Sequence, residues 1–383
     1  MGILKPAVVR LAPLFLLAGF ASATFAGTPV TVQQVEQLLT AVRAQSDAKV
    51  ARMISGLELT ERGSSARLAE WQAAFPGRQT RNALLTLVDI SAFLDLPPSE
   101  IPSRDTPTPA IQQQILARVS DYVKKTVHKL PNFSMRRTTT LFEDLSPVQQ
   151  LFNQHLDGTS GASTPPSLSQ ASNPEPLRQV DRSTRVVTYR DGQEVADTRA
   201  ENDKKSFPQG IILTTWGEFG PILSIVAGDA IDGEIFFDHW EQDPSGLLAV
   251  FQYSVSQEIS HYSLLFGKGD KPQFPAYHGE IAADPANGTV LRLTVVSNLN
   301  PPDQRIGTAI LVEYGPVAIG DVSCICPVKG VALTTAPSLP TWVDPNPTVR
   351  GVPEPVAVQP QILLNDVTYS EYHALPAATG VVP

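Results

Sequence analysis

GEIFFDHWEQDPSGLLAVFQYSVSQEISHYSLLF (Gly233–Phe266), QFPAYHGEIAADPANGTVLRLTVVSNL (Gln273–Leu299) and IGTAILVEYGPVAIGDVSCICPVKGVALTT (Ile306–Thr335) decide the fold. Runs of β-branched and aromatic residues alternate with clusters of Pro, Asp, Asn and Gly, the pattern of antiparallel strands joined by tight turns. Asn287-Gly288 supplies positive φ at a hairpin corner. Asp243–Gly246, DPSG, has Pro at the second and Gly at the fourth position, as a type I turn prefers. The reading is a curved antiparallel sheet.

Immediately upstream, TTWGEFGPILSIVAGDA (Thr214–Ala230) interrupts the strands. A helix over Glu218–Ala227 is expected, with Pro221 in its first turn and Ile222, Leu223, Ile225 and Val226 as its apolar face. Further back, Leu130–Leu145 reads as an entering strand, and STRVVTYRDGQEVADTR (Ser183–Arg199) as a hairpin turning at Asp191-Gly192. Between them, Ser146–Arg182 is rich in Ser, Pro and Gly and predicts a mobile insertion. Downstream, the Pro-rich stretch before Pro360 predicts an extended spacer. Ile362–Leu375 predicts the final strand.

The N-terminal part has helical rather than alternating periodicity. Thr31 and Gln34 form a capping-box pattern ahead of Val32, Val35, Leu38, Leu39 and Val42. Asp47 is placed to cap a second helix that Gly56 stops, and Leu68 and Trp71 mark a third. Ala83–Leu94 is apolar on nearly every turn, so it predicts a helix buried on more than one side. Pro109 opens a helix carrying Ile111, Ile115, Val119, Tyr122 and Val123 on one face, with lysines at its end that complement the helix dipole. Ahead of all this, Lys5, Arg10 and the apolar run Leu11–Phe20 read as a secretory signal peptide cleaved after Ala23 or Ala26.

Composition narrows the function. Charged residues make up 17% and hydrophobic residues 42%, and the formal charge is −9. An acidic chain with no basic patch excludes non-specific nucleic-acid binding. Cys324 and Cys326, the two cysteines, share a strand face. They are short of a structural zinc set and too extended to bridge without distortion, so buried thiols are expected. In FFDHWEQD (Phe236–Asp243), His239 and Glu241 share a face while Asp238 points away. With His261 or His278 they are a weak metal or acid–base set, and surface hydrogen bonding is the stronger reading. No nucleophile-elbow or phosphate-cradle motif is present.

Four motifs carry a resemblance. LELTERGSSARLAEWQAAFPGRQTRNALLTLVDISAFLDLPP (Leu57–Pro98), LPNFSMRR (Leu130–Arg137), WGEFGPIL (Trp216–Leu223) and AYHGEIAADPANGTVLRL (Ala276–Leu293) resemble a group of uncharacterised secreted proteins of acidobacterial-type soil bacteria. The strand order over Leu130–Leu375 is similar to the outer-membrane lipoprotein-carrier superfamily, LolA/LolB-like. There an incomplete antiparallel barrel encloses a helix-covered apolar cavity for acyl chains.

The resulting expectation is an α+β protein: an N-terminal helical region followed by a curved antiparallel half-barrel sheet with helical cover. Its organisation is a signal peptide at 1–26, a helical region at 27–129, a half-barrel at 130–376 with the insertion 146–182, and a tail at 377–383. The expected function is non-catalytic binding or shuttling of an apolar, lipid-like molecule in the periplasm or outside the cell. The binding residues are Ile222, Leu223, Ile225, Val226, Phe236, Phe237, Phe251, Tyr253 and Tyr262. The alternatives are a structural or protein-binding module with an envelope protein partner, and an extracytoplasmic hydrolase. No catalytic residue, metal ligand or cofactor is assigned.

Overall fold

Strand alternation from Phe133 to Ala374 is realised as one continuous antiparallel sheet. The computed structural model describes residues 27–126, 130–144, 177–190, 192–195, 218–265, 271–299, 306–337 and 360–375. The stretches read as a signal peptide, a tail, most of an insertion and a Pro-rich spacer lie outside these residues. Six helices and a ten-stranded antiparallel sheet within them make the fold α+β.

Helices α1 (Val32–Ala41), α2 (Asp47–Ser55), α3 (Ser65–Ala74) and α4 (Arg78–Ser91) come first, with two short parallel strands, β1 (Thr28–Val30) and β2 (Leu57–Leu59). The capping box at Thr31 and Gln34 is present in full. Asp47 acts differently from the expectation. It is the first residue of α2, and its carboxylate accepts from the backbone N–H groups of Gln79 (3.1 Å) and Thr80 (2.9 Å), so it caps α4. Those groups have no partner inside α4, and a carboxylate also complements the positive end of the helix dipole. The four helices share a core of Val35, Leu39, Ile54, Leu68, Trp71 and Leu84.

The sheet consists of β3 (Phe133–Glu143), β4 (Arg178–Arg190), β5 (Gln193–Val195), β6 (Glu234–Asp243), β7 (Gly246–Val255), β8 (Tyr277–Ala283), β9 (Val290–Leu299), β10 (Ile306–Ile319), β11 (Val322–Pro337) and β12 (Pro360–Ala374). Their order is β5-β4-β3-β12-β11-β10-β9-β8-β7-β6. Strands β6 to β12 thus follow one another as a meander, and β3 joins on along β12. β4 starts at Arg178, so the last residues of the stretch read as an insertion are strand. DPSG turns between β6 and β7, with Asp243 paired to Gly246. Between β8 and β9 the turn is wider than a two-residue corner: Asp284 N–H donates to Thr289 O, and only Gly288 of the Asn-Gly pair takes positive φ (79°).

Register assigns the two faces. Tyr253, Tyr277, Ile281, Leu293, Val295 and Val312 point one way, beneath α5 (Pro109–Thr126) and α6 (Pro221–Asp232). Val296, Ala309, Leu311, Val331, Leu333 and Leu364 point the other way, against Ala92 with Leu85, Ile90 and Phe93 of α4 and the turn after it. The helical region is therefore divided between faces: α4 approaches one, and α5 lies with α6 on the other. At the far end of the α6 face, Phe133, Met135, Tyr189, Phe219 and Tyr369 form an aromatic cluster around the fully buried Cys326. Both cysteines are free, and burial pushes the Cys326 thiol up to about 12, which makes it core rather than nucleophile.

Candidate functional site

Three single charges interrupt otherwise apolar strands: Arg292 in LRLTVV, Glu313 in LVEYG and Lys329 in PVKGVAL. Antiparallel register sets Arg292 opposite Glu313 and Glu313 opposite Lys329. All three therefore stand on the face that α4 approaches. Together with Glu241 on β6 and Asp89 on α4 they line a cleft of about 560 Å³ between sheet and helices. Its apolar floor is formed by Leu248, Leu291, Leu311 and Val331, and its helical wall by Arg62–Ala66, Val88, Asp89 and Ala92.

A β-bulge at Phe237/His239 brings β6 into this arrangement. Because of the extra residue, Phe237 faces Phe251 on the α6 side while His239 and Glu241 turn to the cleft side, so regular alternation across FFDHWEQD fails. Glu241 is the hub. It accepts from Arg62 at 2.7 Å and from both terminal nitrogens of Arg292, at 2.5 and 2.7 Å. Glu280 takes weaker bonds from the same two arginines, at 3.2 and 3.3 Å. Arg62 is only 5% exposed. Burial opposes ionisation of Glu241, but His239 and the two arginines outweigh it and hold the carboxyl well below the usual range. Burial likewise opposes the charge on His239, yet its contacts with Asp238 (2.7 Å) and Glu241 raise it to about 9.

At the opposite end of the cleft, Lys329 Nζ donates to Asp89 Oδ1 at 2.5 Å. Asp89 is 1% exposed, and the buried Asp366 carboxyl of β12 lies close enough to feel its charge. Two carboxyl groups held close together away from water do not readily ionise together. Burial first, then the neighbouring Asp89 charge, push Asp366 up to about 7. Lys329 balances the charge of Asp89, so ionisation of Asp366 as well would leave an unpaired interior charge.

The residues expected to bind an apolar ligand lie mostly on the other face. Ile222, Leu223, Val226, Tyr253 and Tyr262 are buried together with Tyr277, Ile281 and Leu293, and Ile225 packs at the margin. Phe251 is fully buried beside Phe237, Trp240 and Ile115 of α5. Phe236 is 51% exposed and on the face opposite Phe237. Within this cluster, Asp229 of α6 accepts from Tyr277 Oη (2.7 Å) and His261 N–H (2.8 Å) and pairs with His261 Nδ1 (2.7 Å). His261 thus serves α6 and does not join His239, while the exposed His278 stands opposite Ser254 of β7, four residues along from the Val250 that faces His239. Among the described residues no three His, Cys, Asp or Glu side chains are grouped to hold a metal ion.

Arg62, Asp89, Arg292, Glu313, Lys329 and Asp366 escaped the reading of the sequence. The signal was there: an isolated charge in a strand whose neighbours are apolar on both sides marks a buried polar position. No family model, no curated protein and no solved structure matches the chain.

Proposed function

We propose that the protein binds an apolar, lipid-like molecule in the cell envelope without transforming it, and that the molecule lies in the cleft between α3–α4 and the sheet. One observation carries this reading: a cleft of about 560 Å³ whose floor is Leu248, Leu291, Leu311 and Val331, under a rim of polar groups. Small-molecule sites are typically clefts of about 300–1,000 Å³ with mostly apolar linings and a few placed polar groups. The proposal moves the ligand away from α6, whose apolar face is occupied by protein side chains. On this reading the sheet works as an incomplete barrel with α4, not α6, at its open side, and the chain is exported by the signal peptide at 1–26.

Protein purified from the envelope fraction, extracted and analysed by mass spectrometry, should release a lipid-like molecule. Leu291→Trp, which fills the floor of the cleft, should reduce binding of a hydrophobic dye while the melting temperature stays within a few degrees. A wild-type protein that binds neither extracted lipid nor dye overturns the reading and leaves the structural or protein-binding alternative.

A further inference from the structure

Each cation of the cleft has an acidic partner, although the buried Nε of Arg292 makes no hydrogen bond. Arg62 and Arg292 hold Glu241 and Glu280, and Lys329 holds Asp89. Glu100, at the rim, is held by Arg67 at 2.7 Å. Asp243 is taken up by the turn it begins, accepting from Ser245 N–H and Oγ. Glu313 is different. Its carboxylate oxygens lie 2.8 and 3.0 Å from Ser65 Oγ, a hydroxyl with a single proton to give. Among the described residues no lysine or arginine nitrogen comes within ion-pair distance of it. Arg292 and Lys329 stand opposite it in the register, but each is committed to another carboxylate.

We infer that the cleft is built for an amphipathic organic cation, whose ammonium group pairs with Glu313 while its hydrocarbon part lies on Leu291, Leu311 and Val331. A carboxylate has about four acceptor positions, and an ammonium has three donors, so the free capacity of Glu313 suits this group. An anionic headgroup would meet the opposite situation: it would approach a carboxylate that no cation holds at ion-pair distance, while Arg292 and Lys329, whose charges reach Glu313, each have a closer acidic partner. Charge complementarity thus selects among lipid-like ligands of equal apolar size. The inference rests on the binding reading above and refines it.

The test uses three probes of one chain length, decylammonium, decanol and decanoate, titrated into the full-length mature protein by calorimetry at neutral pH. Decylammonium should bind about tenfold more tightly than decanol, the size of one charge-assisted hydrogen bond, and decanoate more weakly than either. Glu313→Gln should remove the advantage of decylammonium. Decanoate binding as tightly as decylammonium, or an unchanged preference in a folded Glu313→Gln protein, overturns the inference while the binding reading stands. Should Glu313→Gln fail to fold, the ranking of the three probes on the wild-type protein decides alone. Absence of binding by all three removes the cleft as an apolar site and both readings with it.

Discussion

Lys329 of β11 and Asp89 of α4, 240 residues apart in the chain, meet at 2.5 Å across the boundary between sheet and helices. With Asp366 on the next strand they form a buried ionisable trio, and Arg62 with Glu241, Glu280 and Arg292 forms a second ionic contact across the same boundary. The helical layer is thus fastened to the sheet at two ends, with the cleft between them.

The trio makes stability depend on pH. In the folded chain Asp366 keeps its proton up to about 7, whereas a free aspartate loses it near pH ~4. The folded state therefore binds the proton more tightly across that window. This contribution to stability is complete below the unfolded value and is lost as pH rises through the folded one. The melting temperature should fall between pH 5 and 7, and Asp366→Asn should flatten the fall. A wild-type melting temperature that is constant or rises over this range contradicts the raised Asp366 pKa.

Arg62→Met should destabilise the protein by about 3 kcal/mol, since it leaves Glu241 and Glu280 to share Arg292 in a buried setting. Urea unfolding measures this without screening the charges. Arg62→Lys should recover part of the loss, because an ammonium cannot hold both carboxylates with the geometry of a guanidinium. A change below about 0.5 kcal/mol for the Met variant would place the cluster among ordinary surface pairs.

Gly288 faces α5 so closely that an added Cβ would come 2.2 Å from the Arg118 carbonyl carbon and 2.5 Å from Val119 N. Gly288→Ala should cost about 2 kcal/mol or more, the left-handed backbone penalty plus overpacking. Gly192→Ala is the control: its φ is also positive (82°), but nothing lies within 4 Å of an added Cβ. Only the backbone term remains there, about 1 kcal/mol. Equal losses at the two positions in thermal melts would count against the contact with α5.

Tyr277→Phe removes the donor to the buried Asp229 and should cost about 2 kcal/mol, as expected for a hydrogen bond to a charged acceptor. The loss should be read by chemical denaturation. A neutral effect would mean that His261 alone satisfies Asp229.

Much of the architecture was legible because it is local. The capping box at Thr31, the helix start at Pro109, the DPSG turn and the positive φ of Gly288 depend on neighbours within a few residues, and each is present. The division of the helices between two faces was not legible. The apolar stripe of α5, with Val119 and Val123, looks the same whichever partner it meets, and nothing local distinguishes α6 from α4. Asp47 was misassigned for a related reason: a carboxylate beside a helix start satisfies any nearby N–H groups, and those of α4 are brought in by tertiary packing. The cleft was missed because its charges come from positions as distant as Arg62 and Lys329. The bulge at Phe237/His239 also breaks the regular alternation along Phe236–Asp243, setting Phe237 and His239 on opposite faces.

The seam between β3 and β12 also dictates an order of assembly. Strands β6 to β11 can add one after another to a growing meander, each pairing with the strand just before it. β3, although far earlier in the chain, has to wait for the 15 residues of β12, its antiparallel partner. Such long-range pairing is the slow part of folding, because a long loop must close before any contact rewards it. A chain emerging in sequence therefore holds β3 and β4 without their seat until β12 is available. Any product cut before Pro360 would keep two open strand edges, on β3 and β11, facing each other with nothing between them, and open edges are where chains aggregate.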